Sequence, residues 1–206
     1  MGYFLLFAGI GGLIFLIIWK KKRRNNGKSL ERLEHLIIMA DKGDEEAKWQ
    51  MYDEVEKQHI DDKQYYEIYI NLYKRLAEQG DAFAEKKLGD HYFYENKPNE
   101  AYKLYASAAN KGNISAMKTL GLRFSEVGSK DDAVREGFGY NAELSFQWYL
   151  KAAQYGDSEA MHDVAYAYFA GEGVGKDLNK ARYWAQKGAE AGSSECRSFL
   201  SDLSRY

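Results

Sequence analysis

The chain is poor in the residues that staple or interrupt a fold. Among 206 residues it has one cysteine, Cys196, one proline, Pro98, and one threonine, Thr119. A lone cysteine finds no partner within the chain, which excludes a disulfide-framework protein and removes any need for an oxidising compartment. A single threonine and five valines leave scant material for strands, and one proline leaves none for Pro-rich linkers. The expectation is an all-helical protein.

What is present is zoned by charge. Residues 1–19 have no charged side chain, Lys20 to Arg24 are five consecutive basic residues, and the rest holds 24 basic against 31 acidic side chains. An acidic main part repels phosphate backbones, so nucleic acid is set aside as a partner. As a helix the uncharged stretch would extend ~28 Å, enough to cross a bilayer core. Tyr3 and Trp19 stand at its ends, where amphipathic rings sit at headgroup level. A signal peptide carries its positive charge ahead of the apolar run, whereas here the charge follows it. The sequence therefore predicts a transmembrane anchor with its basic flank over 1–24, spanning with residues 3–19, then a polar linker over 25–29. The positive-inside bias places the remainder, 30–206, on the cytoplasmic face of a bacterial inner membrane, with the N-terminus outside. Ala8 and Gly12 form one small-xxx-small pair through which two such helices could associate weakly.

Beyond the linker the sequence repeats itself. Ala-x-x-Gly followed by Asp, Asn or Ser occurs at Ala40–Asp44, Ala77–Asp81, Ala109–Asn113, Ala153–Asp157 and Ala189–Ser193. The glycines Gly43, Gly80, Gly112, Gly156 and Gly192 are 37, 32, 44 and 36 residues apart. A period in this range indicates stacked helical units. The motif has a local logic: glycine supplies the left-handed residue that ends one helix, and the next polar side chain caps the one that follows.

After each corner comes a stripe of small or apolar residues. It reads Ala84, Leu88, Gly89 and Tyr92; Ala116, Leu120, Gly121 and Phe124; Ala160, Val164, Ala165 and Tyr168. At about 100° per residue these positions share one helix face, with Gly or Ala where a neighbour must come close. The second half of the unit repeats too, since Gly137–Asn141 aligns with Gly173–Asp177 and Trp148–Ala153 with Trp184–Ala189. The third unit is longer than the fourth, and its excess falls in Val127 to Glu136, a charged surface insertion. A leading helix is expected over Leu30 to Ala40 and a capping helix over 194–203.

With these motifs the sequence resembles the Sel-one-like repeat family, relatives of the tetratricopeptide repeat. The unit from Asp157 to Gly192 carries the likeness best, through Ala160, Tyr168, Gly171, Gly173, Val174, Asp177, Lys180, Ala181, Tyr183, Trp184, Lys187 and Ala189. The likeness covers roughly 40–203 and weakens toward the N-terminus, where Tyr69 replaces the small residue seen at Ala101, Ser145 and Ala181. It implies an α-solenoid of about four helix pairs, and a membrane-anchored scaffold or adaptor that holds a protein or peptide in a concave groove. The same resemblance admits an alternative, a bacterial immunity-type inhibitor that neutralises a toxic effector by binding it.

No motif argues for catalysis, a cofactor or a metal. Gly171–Lys176 lacks phosphate-loop spacing and is followed by Asp177 where Ser or Thr is needed. His35, His59, His91 and His162 are too scattered to gather a metal, and Asp61–Asp62 and Asp131–Asp132 read as solvated or capping pairs. Cys196 takes the small-residue slot of its repeat and is expected to pack. In each first helix the second, sixth and tenth positions after the leading alanine point away from the stripe. They hold Trp49 and Asp53; Lys86, Asp90 and Tyr94; Lys118 and Leu122; His162 and Tyr166. A merely solvated face would be uniformly polar. Trp49, Tyr94, Leu122, His162 and Tyr166 are therefore the candidate protein-binding residues.

Overall fold

In the computed structural model the described residues are 32, 35, 36, 39, 40, 44–57, 63–125 and 138–205, and the side chains of 54–57 and 63–69 stand outside that set. Their regular structure is helical throughout, and in the second of the two units described below the helices stack as a solenoid. The helices are α1 (Glu45–Lys57), α2 (Lys63–Glu78), α3 (Ala82–Tyr94), α4 (Pro98–Asn110), α5 (Ile114–Phe124), α6 (Ala142–Gln154), α7 (Ser158–Ala170), α8 (Leu178–Glu190) and α9 (Ser194–Leu203). The expected capping helix is α9. Of the expected leading helix, the described members Arg32, His35, Leu36, Met39 and Ala40 are helical. The anchor over 1–24 with Ala8 and Gly12, the linker over 25–29 and the insertion over 127–136 lie outside the described residues. Among the described residues no helix is long and apolar enough to cross a membrane.

Two compact units divide between Asn71 and Leu72. In the first, Asp44 accepts the amide of Ala47 at 3.0 Å and so opens α1, which buries Met51 and Tyr52. The second unit contains α3 to α9 and the corners that the sequence pattern anticipates. Gly80, Gly112, Gly156 and Gly192 have φ of 88°, 93°, 94° and 101°. At the second of these the Gly112 amide donates to the Ala109 carbonyl at 3.1 Å, and the Asn113 amide reaches the Ala108 carbonyl at 3.0 Å. These two bonds satisfy two of the last carbonyls of α4. The same polar residue then turns its side chain forward: Asp81, Asn113 and Asp157 accept from the amides of Ala84, Ala116 and Ala160 at 2.8, 2.9 and 2.8 Å. Ser193 does so for Cys196 at 3.1 Å. One glycine and its successor thus close one helix and open the next.

A Cβ added to Gly156 would meet nothing within 4 Å, so its φ of 94° is the whole constraint. Replacing it with valine should cost more than about 1 kcal/mol through the backbone alone. Thermal melting checks this; a variant that melts like the parent would show that the corner does not need its left-handed residue.

The stripes are the core of the second unit. Ala84, Leu88, Ala116, Leu120, Phe124, Ala160, Val164, Ala165 and Tyr168 are all buried. Pairs α3 with α4, α5 with α6 and α7 with α8 pack within repeats, while α4 on α5, α6 on α7 and α8 on α9 join them. The small third member of each stripe has a specific reason. A Cβ on Gly89 would lie 2.7 Å from the Tyr105 ring, and one on Gly121 would lie 2.9 Å from the Tyr149 ring. Tyr105 and Tyr149 occupy equivalent positions, seven residues before their corner glycines. In the last repeat the equivalents of glycine and tyrosine are Ala165 and Ala185, both fully buried. In these three repeats glycine is paired with tyrosine and alanine with alanine.

The loops between paired helices follow the sequence alignment only in part. Asn141 and Asp177 cap α6 and α8 alike, accepting the amides of Leu144 and Lys180 at 3.0 Å. Gly139 has a φ of 63°, whereas the aligned Gly175 is not left-handed. The reason lies next door. Phe138 is buried among Phe93, Tyr102, Tyr105 and Phe124, with ring centroids 5.6 to 6.4 Å apart, while its counterpart Val174 is only half-buried.

Candidate protein-binding cleft

Leu122 and Tyr166 are equivalent residues, each ten beyond its corner glycine, on the faces of α5 and α7 that the stripe leaves outward. They remain 42% and 50% exposed and line a cleft of about 400 Å³. Phe146 and Tyr149 of α6 contribute to it, as do Asp163 of α7 and Glu172 of the loop that follows. Phe146 is fixed edge-on against Tyr168 with centroids 5.2 Å apart, and Tyr149 lies over Gly121. The Ser145 hydroxyl donates to the Gly121 carbonyl at 2.8 Å, tying α6 to α5 beneath the opening. Aromatic walls are therefore held by packed helices, not by loops.

Electrostatics are set mainly by Asp163. Its carboxylate accepts no hydrogen bond among the described residues, and the only basic nitrogen within 4.0 Å there is Nδ1 of His162. Burial pushes its pKa up to about 6; Lys118 pulls it back, and Asp157 and Glu159 push it further up. The folded state thus favours the neutral acid, so ionising Asp163 weakens the fold as pH rises from 3.8 to about 6. Burial raises the Tyr149 phenol as well, and the charge of Asp163 adds to it. Lys118 is engaged elsewhere: its ammonium holds Asp157 at 3.3 Å and also Glu159, joining α5 to the start of α7. Burial alone would lower the Lys118 pKa, but its bonds to Glu159 and Asp157 outweigh that and leave it raised.

The other candidates stand apart from the cleft. His162 lies edge-on to Phe199 of α9 at 5.7 Å, so this position of α7 meets the capping helix. Tyr94 ends α3 at 82% exposure and touches Phe93 edge-on at 6.1 Å. Trp49 belongs to the first unit, is 52% exposed and lies edge-on to Tyr52 at 5.7 Å. Sequence reasoning overlooked Tyr149, Asp163 and Glu172. For Tyr149 there was a signal, its recurrence as Tyr105 at the same place in the preceding repeat; for Asp163 and Glu172 there was none.

Cys196 is fully buried and burial raises its thiol pKa. A Cβ on Gly188 would lie 2.3 Å from its sulfur, so the side chain packs between helices, as its small-residue slot implies.

A sequence profile described as the Sel1 repeat matches residues 82–113, 134–157 and 158–193. These three stretches, together fewer than half of the residues, are similar to the Sel1 repeat. Helix α5 falls between matched stretches, yet its Asn113 cap and its Ala116, Leu120, Gly121 stripe are those of the first helices in the matched stretches. Over 55 residues, 27% of this chain, it is 40% identical to the Sel1-repeat-containing protein YjcO of Escherichia coli, and equally to YjcO of Shigella flexneri. That match spans 22% of the length of these relatives. The crystal structure of a Sel1 repeat protein from Oxalobacter formigenes is 35% identical with a TM-score of 0.53, covering 66% of this chain and 53% of that one. A protective antigen of uropathogenic Escherichia coli strains is 22% identical with a TM-score of 0.56, over 95% of this chain and 45% of its own. This second likeness concerns the fold alone, the SLR fold.

Proposed function

We propose that this chain is a Sel1 repeat protein acting as a non-catalytic scaffold that holds a protein or peptide partner, tethered to a membrane by residues 3–19 with its repeats on the cytoplasmic side. The observation that carries the reading is the cleft bounded by Leu122 and Tyr166, where equivalent outward positions of two repeats present apolar surface beside the rings of Phe146 and Tyr149. Rigid aromatic and aliphatic side chains around a recess are the usual anchors of protein recognition. The tether rests on the apolar run with Tyr3 and Trp19 at its ends, and its direction on Lys20 to Arg24.

The test is affinity capture by the full-length protein from gently solubilised native membranes. Leu122→Ala and Tyr166→Ala should each weaken capture by about 2 kcal/mol. Leu122 is half-exposed, so its loss should hardly change the melting temperature, whereas Tyr166→Ala also gives up a ring contact with Phe199 of α9 at 6.3 Å and should lower it slightly. Variants that melt lower and capture normally would make these residues packing groups and move the binding surface elsewhere. Recovery of the protein in the soluble fraction would remove the tether. The nature of the captured partner, an envelope or signalling complex on one hand or a toxic effector on the other, separates adaptor from inhibitor.

A further inference from the structure

The cleft is one-sided in charge. Two carboxylates, Asp163 and Glu172, line it, and among the described residues no lysine or arginine does. The cations of α5 are already occupied: Lys118 bonds Asp157 and Glu159, and the Arg123 guanidinium lies 3.6 Å over the Phe93 ring. Asp163 is left half-buried among helices with no hydrogen bond from the described residues. A carboxylate so placed gains from an arriving cation, because partial burial weakens the competing hydration. Around it stand the rings of Phe146, Tyr149 and Tyr166 and the side chain of Leu122. Such walls attract a cationic head through their π faces and cover the aliphatic stem behind it. At about 400 Å³ the space admits one long side chain.

Resting on the reading of this cleft as the partner site, the geometry points to a basic anchor: the partner inserts an arginine or lysine side chain beside Tyr149 and Tyr166, its head on Asp163 and Glu172, its stem against Leu122. Arginine fits better than lysine. Its planar guanidinium can stack on a ring while donating two parallel hydrogen bonds to a carboxylate, which a compact ammonium cannot do. The cation also offsets the cost that burial puts on the ionised form of Asp163.

The experiment selects displayed random short peptides on the immobilised full chain and retains those whose binding is lost with Leu122→Ala or Tyr166→Ala. These peptides should share an arginine or lysine at one position. Replacing that residue with citrulline should lower affinity about tenfold or more. The double substitution Asp163→Asn with Glu172→Gln should weaken the arginine peptide by a similar factor and leave the citrulline peptide unchanged. A matched control, Glu46→Gln with Glu190→Gln, removes the same charge from exposed sites and should change neither affinity. Melting of each variant confirms that it is folded. Cleft-dependent peptides without a basic residue, or arginine peptides indifferent to the loss of Asp163 and Glu172, overturn the basic anchor and leave the cleft as the binding site. A selection in which no peptide depends on Leu122 or Tyr166 overturns both.

Discussion

Gly173→Ala should cost about 3 kcal/mol or more, because two penalties fall on one atom. The residue has a φ of 69°, a conformation that L side chains rarely adopt. An added Cβ would also lie 2.0 Å from the Ala142 carbonyl oxygen and 2.4 Å from its carbon. The neighbouring atoms are backbone, so no rotamer can yield, and either the loop after α7 or the start of α6 must shift. Because α6 supplies Phe146 and Tyr149, the same change should disturb the cleft. Chemical denaturation measures the first effect and binding of a cleft-directed peptide the second. A variant within about 1 kcal/mol of the parent would mean that the loop can lift away without loss.

Gly121→Ala should cost roughly 1 to 3 kcal/mol by overpacking against the Tyr149 ring, and Tyr149→Ala alone about 3 kcal/mol by leaving a cavity. Combined, they should cost less than their sum by about 1 kcal/mol or more, since each change makes room for the other. The last repeat supplies the precedent: Ala165 and Ala185 hold the same two positions fully buried. Denaturation of the parent, both single variants and the double variant closes the cycle. Strict additivity would show that ring and added methyl do not meet.

The corners could be read from the sequence because their chemistry is local. A glycine with φ above zero and a capping side chain need only a few neighbouring residues, and Gly80–Asp81, Gly112–Asn113 and Gly156–Asp157 announce both functions in adjacent letters. The stripes were legible for a similar reason, since helical periodicity alone puts Ala116, Leu120 and Gly121 on one face. What periodicity cannot reveal is which element faces that stripe. His162 shows the gap: its outward position is real, but α9 lies there, and the ring packs on Phe199. The cleft was half visible, through Leu122 and Tyr166, for its remaining members come from other faces. Asp163 sits on the flank of α7, Tyr149 on α6 and Glu172 in a loop, and only the packing of three helices brings them to one opening.

The matching of Gly89 with Tyr105, Gly121 with Tyr149 and Ala165 with Ala185 bears on how such an array can be rearranged in evolution. Each matched pair lies inside one repeat, between one corner glycine and the next. A duplication or exchange that breaks at a corner carries both members together and leaves every ring facing its glycine. A breakpoint between the two helices of a repeat, in an exchange with the last repeat, would instead join an alanine helix to a tyrosine helix, producing a clash, or a glycine helix to an alanine helix, producing a void. Exchanges that involve the last repeat should therefore break at a corner such as Gly156, and there the heritable unit is the hairpin instead of the single helix.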